Sequence, residues 1–234
     1  MTKPLIDRVA LVTGASRGIG AATAEALAAQ GAHVILVART AGGLEEVEER
    51  IHNAGGSATI APLDLTDGES IDRLANAIAG RWKALDVLVL NAAMLGTLAP
   101  VAAIDAKEFT QLFTLNVGAQ AAMIAAFDPL LKASDRARVI GVSSTVAQNP
   151  RAYWGAYGAS KAALENLVLA YGQEVANISA IRTAVLNPGA TATKMRAKAF
   201  PGEDQATLKS PEVVAEALVK LIIEGFETGA RVSL

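Results

Sequence analysis

Short β-branched apolar runs recur along the chain at Val9–Val12, Val34–Val37, Ala58–Pro62, Val87–Leu90, Val139–Val142 and Thr183–Leu186. Between and after them lie stretches with helical spacing, roughly 18–30, 43–54, 67–81, 105–131, 156–176 and 211–225. The runs are too short for helices, and their strand–helix–strand order calls for right-handed crossovers between parallel strands. A chain that alternates in this way is predicted to fold as α/β, a doubly wound Rossmann fold with a parallel sheet flanked by helices on both faces. Its hydrophobic content of 52% against 19% charged residues suits a sheet covered on both sides. No linker interrupts the pattern, so residues 1–234 are expected to form a single domain, with Gly229–Leu234 available for a last short strand. In such sheets ligands sit at the carboxyl ends of the strands, which directs attention to the segments that follow each run.

Composition removes several classes of function. A net charge of −2 and a pI near 5.8 give no basic field for nucleic acid or an anionic membrane, so neither partner is expected. There is no cysteine, which excludes disulfides, thiolate metal sites and cysteine nucleophiles. The isolated His33 and His52 offer no metal site, and both lie too far upstream to serve a Ser-His-acid hydrolase. The apolar run before Gly14 is too short for a secretory signal, and no stretch of about 18 apolar residues follows. The expectation is a cytoplasmic protein.

The segment after the first run reads Thr13-Gly14-Ala15-Ser16-Arg17-Gly18-Ile19-Gly20. Glycines between a strand and a helix allow a tight turn and close backbone approach, so a pyrophosphate can sit at the helix N-terminus. A plain structural turn would use the same residues. At the end of the second run, where an NAD-binding unit places a carboxylate, the chain reads Val37-Ala38-Arg39. Arg39 can fork onto a ribose 2′-phosphate and Arg17 can add a second cation, which favours NADP(H); both could instead be solvated surface charges.

Downstream, Tyr157 and Lys161 stand four residues apart in a helical stretch and so share a face. A phenol titrates near pH 10, and an adjacent ammonium would lower that value, fitting Tyr157 for acid–base work near neutrality. Alone, such a pair is commonly a surface pair, and Ser143-Ser144 after a strand is commonly a turn. Asn116 costs helix propensity in an apolar helix unless its amide is used there or satisfied locally at a kink.

With these residues in hand, the chain resembles the short-chain dehydrogenase/reductase family of the Tyr-x-x-x-Lys type, from about Asp7 to Val232. Thr13 through Gly20, including Ser16, Arg17 and Ile19, is similar to the family's Thr-Gly-x-x-x-Gly-x-Gly loop. Asp64-Leu65 resembles the pair that meets the adenine, and Asn91-Ala92-Ala93 falls where the family has Asn-Ala-Gly. Asn116, Ser144, Tyr157 and Lys161 match the catalytic tetrad in type and order. Asn187-Pro188-Gly189 with Thr191 and Thr193 resembles the segment over the nicotinamide. The resemblance implies hydride transfer between NADP(H) and a small carbonyl or alcohol. Tyr157 would be the general acid/base, Lys161 would also hold the ribose hydroxyls, Ser144 would bond the substrate oxygen and Asn116 would anchor a relay water. A dinucleotide-binding sensor without turnover is the alternative, and a dehydratase or epimerase a third reading.

Ala93 departs from the family's glycine and is expected to restrict that loop. Pocket walls are expected from Met94–Leu98, Val146–Trp154 and a lid at about 190–210, whose Lys194, Arg196 and Lys198 are a solvated helix face or an attractor for an anionic substrate. The apolar stretches 117–127 and 159–171 predict a homo-oligomer, dimer or tetramer, in which no segment beyond the last strand builds an interface.

Overall fold

In the computed structural model, which describes residues 3–234, seven parallel strands form one sheet in the order β3-β2-β1-β4-β5-β6-β7. They are β1 (Val9–Thr13), β2 (His33–Ala38), β3 (Ser57–Pro62), β4 (Val87–Leu90), β5 (Arg138–Val142), β6 (Arg182–Asn187) and β7 (Ala230–Ser233). Every residue of β1 and β4 is buried, which is why these strands read as unbroken apolar runs rather than alternating ones.

The covering helices are α1 (Gly18–Ala29), α2 (Ala41–Asn53), α3 (Gly68–Ala79), α4 (Ala106–Phe113), α5 (Ala119–Lys132), α6 (Gly155–Val175), α7 (Lys194–Ala199) and α8 (Pro211–Glu224). One core layer joins the sheet to α3, α5 and α6 through Ile71, Met123, Phe127, Leu164 and Val168. The other joins it to α1, α2 and α8 through Leu27, Leu44, Val47, Val214 and Leu218. The architecture is the doubly wound one expected.

Two boundaries differ from the sequence-based reading for physical reasons. The helix expected over 105–131 is split by a π-helical turn at Thr114–Gly118. Thr110 and Thr114 donate their hydroxyls to the carbonyls of Ala106 and Thr110, a pattern that bends helices. Helix α2 begins two residues earlier than expected, because Gly42 and Gly43 in its first turn have poor propensity and tertiary packing overrides it. Helix α7 is only six residues long. Among the described residues no helix is long and apolar enough to cross a membrane.

At the amino ends of the strands a buried carboxylate closes the fold. Asp86, just before β4, accepts from the Val9 backbone N–H at 2.9 Å, the Ser134 hydroxyl at 2.7 Å and Arg8 Nη1 at 2.9 Å. Arg8 reaches on to the exposed Asp135 at 2.6 Å.

The sheet order reverses at the junction of β1 with β4, since their loops leave to opposite sides. The crevice outside the carboxyl ends of these strands is the fold's ligand position.

Candidate active site

A cleft of about 1350 Å³ opens at that position. One half of it is lined by Gly14, Ser16, Arg17, Gly18, Ile19, Ala38, Arg39, Asp64 and Leu65. Gly14 has φ +66, a conformation that disfavours any side chain. A Cβ on Gly20 would lie 2.3 Å from the Gly14 carbonyl and 2.6 Å from Asn91 Nδ2, so the helix can start this close to the strand only without one. Thr13 joins the glycine loop to the loop after β4: its hydroxyl accepts from the backbone N–H groups of Asn91 at 2.9 Å and Ala92 at 3.0 Å. Asn91 Nδ2 returns a bond to the Thr13 carbonyl at 2.9 Å. Thr66 donates its backbone N–H and hydroxyl to Asp64 at 2.9 and 2.8 Å, and these bonds, helped by the Arg39 charge, hold the Asp64 carboxyl below its usual range. Ala93 lines the cleft without a left-handed backbone, so its methyl is accommodated.

The other half contains Ser144, Tyr157 and Lys161. Ser144 is extended, with φ −157, where β5 runs into a short 3-10 turn at Thr145–Ala147. It lines the same cleft as Tyr157, near enough for its hydroxyl to favour the phenolate. Tyr157 and Lys161 lie on the inner face of α6 and are almost fully buried, at 7% and 2% exposure. Lys161 Nζ donates to the Val142 carbonyl at 2.8 Å and stands 5.9 Å from the centre of the Tyr157 ring.

The electrostatics depart from the sequence-based expectation that Lys161 lowers the tyrosine. Burial pushes Tyr157 up to about 12, with the nearby Ser144 hydroxyl pulling the other way. Burial also pushes Lys161 down to about 8. Both groups leave water together, so desolvation outweighs their mutual effect.

Asn116 stands behind the cleft wall, fully buried. Its Oδ1 accepts from the Met94 N–H at 2.8 Å, while Nδ2 donates to the Met94 carbonyl at 2.9 Å and to Ser160 Oγ at 3.0 Å. The side chain thus fastens the loop after β4 to α6 across the π-helical turn, the local satisfaction that a kink residue needs.

The cleft roof is the segment from Pro188 to Ala199, including Gly189, Thr191 and Thr193. Thr193 caps α7 by accepting from the Arg196 N–H at 3.1 Å. Met195 Sδ approaches Tyr157 Oη at 3.8 Å. Arg196 pairs through two bonds of 2.6 Å with Glu203 and covers Phe200 at 3.8 Å, which leaves Lys194 and Lys198 as the exposed cations of this helix. Phe200 stacks on Trp154 at 5.6 Å, and Trp154 meets Tyr157 edge-on at 5.9 Å. Tyr153, by contrast, is 59% exposed. The sequence reading missed the wall formed by Glu108, Thr110, Gln111, Thr114 and Leu115 around α4, a segment with no motif to mark it. Among the described residues no group of His, Asp or Glu converges to hold a metal.

A model of the short chain dehydrogenase family matches residues 8–204. The chain belongs to the short-chain dehydrogenase family. Among members of this family, it is 38% identical over 210 residues to the oxidoreductase YciK of Escherichia coli (strain K12), covering 88% of this chain and 82% of YciK. A short-chain dehydrogenase from Shigella flexneri 2a, solved in complex with NADP, superposes with TM-score 0.94 at 34% identity, covering 100% of this chain and 99% of the other. A short-chain dehydrogenase from Escherichia coli CFT073, solved in complex with NADPH, superposes with TM-score 0.93 at 35% identity, covering 100% and 98%.

Proposed function

We propose that this short-chain dehydrogenase transfers a hydride between NADP(H) and a small carbonyl or alcohol substrate, with Tyr157 as the general acid/base. The observation that carries the reading is the single cleft that joins the glycine loop and Arg39 at one end to Ser144, Tyr157 and Lys161 at the other. Support for the cofactor comes from the NADP and NADPH complexes of the similar Shigella and Escherichia proteins.

The Gly14–Gly20 loop and the start of α1 would take the pyrophosphate, Arg39 with Arg17 the 2′-phosphate, Asp64 and Leu65 the adenine, and Asn91-Ala92-Ala93 the adenosine side. Pro188, Gly189, Thr191 and Thr193 would close over the nicotinamide, whose reduced ring supplies the hydride when bound. Ser144 holds the substrate oxygen and Tyr157 gives it a proton. A phenol pushed up to about 12 keeps its proton through the neutral range, which is the state that reduction requires. Lys161 holds the ribose hydroxyls and adds positive charge beside the tyrosine. Asn116 keeps the loop after β4 in register with α6. Trp154, Met94, Leu95 and Met195 favour an apolar group beside the carbonyl.

Assembly into a homodimer or homotetramer in the cytoplasm belongs to the same reading. It is supported by exposed Ala125 on α5 and half-buried Ala163, Leu167 and Ala170 on α6, an apolar surface unusual for solvent-facing helices.

Parallel titrations with NADPH and NADH, followed by nicotinamide fluorescence, test the cofactor side. Arg39→Ser is expected to weaken NADPH about 10- to 100-fold, the loss of a charge-assisted phosphate bond, and to leave NADH unchanged. Equal affinity for NADPH in both proteins would remove Arg39 from the site.

A further inference from the structure

Glu165 is a charged residue buried at the middle of α6, outside the lining of the cleft, and none of the roles above uses it. It lies one turn beyond Lys161, as Lys161 lies one turn beyond Tyr157. Its Oε1 accepts the Ser143 hydroxyl at 2.5 Å and Gln148 Nε2 at 3.3 Å; its Oε2 accepts Gln148 Nε2 at 3.1 Å and is paired with Arg231 of β7. Ser143 and Gln148 bracket the segment that carries Ser144. Just before them, the Val142 carbonyl is held by Lys161. Two charged groups, one turn apart on a single helix, therefore grip the same strand-to-loop passage at successive points.

We infer that Glu165 is a positioning residue that sets Ser144 against Tyr157 by clamping Ser143 and Gln148 from the far side of the loop. The inference rests on the proposed reaction. In extended backbone successive side chains point to opposite sides, and Ser144 is extended. With the Ser143 hydroxyl drawn to Glu165, the Ser144 hydroxyl faces the other way, toward Tyr157. The Ser143 N–H is also fixed, donating to the Leu186 carbonyl at 2.8 Å, so little rotation is left in the passage. Burying a carboxylate is unfavourable unless it is paired and hydrogen-bonded, and here Arg231 supplies the opposite charge while Ser143 and Gln148 supply the bonds. Arg231 is itself half exposed, at 49%, so the pair reaches from solvent on β7 to the active-site loop. A helix needing only to pack on the sheet would place an apolar residue at this position.

The test uses Glu165→Gln and Ser143→Ala, singly and together, in the full chain with NADPH and an accepted carbonyl. Each single variant is expected to lose about 10- to 100-fold in kcat, the scale of small misplacements of reacting groups. KM for the carbonyl and the Kd for NADPH should stay within about twofold, and the double variant should be no slower than the slower single one. Unchanged kcat alongside a lowered melting temperature would reduce Glu165 to a structural pair and overturn the inference, as would additive losses. Hydrogen exchange reads the clamp without turnover: amides of Ser144–Gln148 should exchange faster in Glu165→Gln while those of the glycine loop do not change. Unchanged exchange at Ser144–Gln148 would overturn the clamp even in an active enzyme. A wild-type chain that turns over no carbonyl would instead count against the proposed reaction.

Discussion

Tyr157→Phe is expected to lower kcat by about 10²–10⁴, the contribution of a positioned general acid, and to leave the Kd for NADPH within about twofold. The substitution removes one oxygen and keeps the ring, so the edge-on contact with Trp154 persists. What is lost is the phenolic proton that the cleft places beside Ser144, while Lys161 keeps its bond to the Val142 carbonyl and its charge. Steady-state rates of NADPH oxidation with one accepted ketone or aldehyde measure it. Turnover within a few fold of the wild type would place the proton donor elsewhere.

Asp86→Ala is expected to produce the largest loss of stability from a single site far from the cleft, about 3–5 kcal/mol, read as a fall of roughly 10 °C in melting temperature. The carboxylate is the shared acceptor of Val9, Ser134 and Arg8. Its removal leaves a buried N–H and a buried hydroxyl without their partner and an 18%-exposed guanidinium with only Asp135. Against a total stability of about 5–15 kcal/mol for a protein of this kind, that is a large fraction. Asp135→Ala removes the exposed contact alone and should leave the melting temperature unchanged. Equal losses in the two variants would show that burial of Asp86 is not what matters.

The parts of the molecule that were legible in the sequence are those whose signal is local. A strand buried on both faces, such as Val87–Leu90, is an uninterrupted apolar run, and the crossover helices follow by elimination. The family resemblance rested on short motifs at strand ends and on the helical Asn116, Tyr157 and Lys161, and is matched by the comparisons. What was hidden depends on distance along the chain or on burial. The π-helical turn at Thr114–Gly118 leaves the apolar periodicity almost intact, so 105–131 read as one helix. Asp86 and Glu165 carry no signal in the sequence, because their partners lie far away in the chain, at Arg8 and at Arg231. The wall around α4 carries no motif. The i, i+4 spacing of Tyr157 and Lys161 was readable, but its effect on the phenol was not. Spacing says that two groups are near, whereas the direction of the shift follows from how much water both have lost.

The most direct measurement is to incubate the protein with NADPH deuterated at one face of C4 and an accepted carbonyl, in two parallel reactions with opposite labels, and to locate the deuterium by NMR. The proposed hydride transfer predicts deuterium on the carbinol carbon of the product from one label only, with Tyr157→Phe giving the same label at a far lower rate. NADPH that binds in the cleft while no label reaches the carbinol carbon would contradict the account.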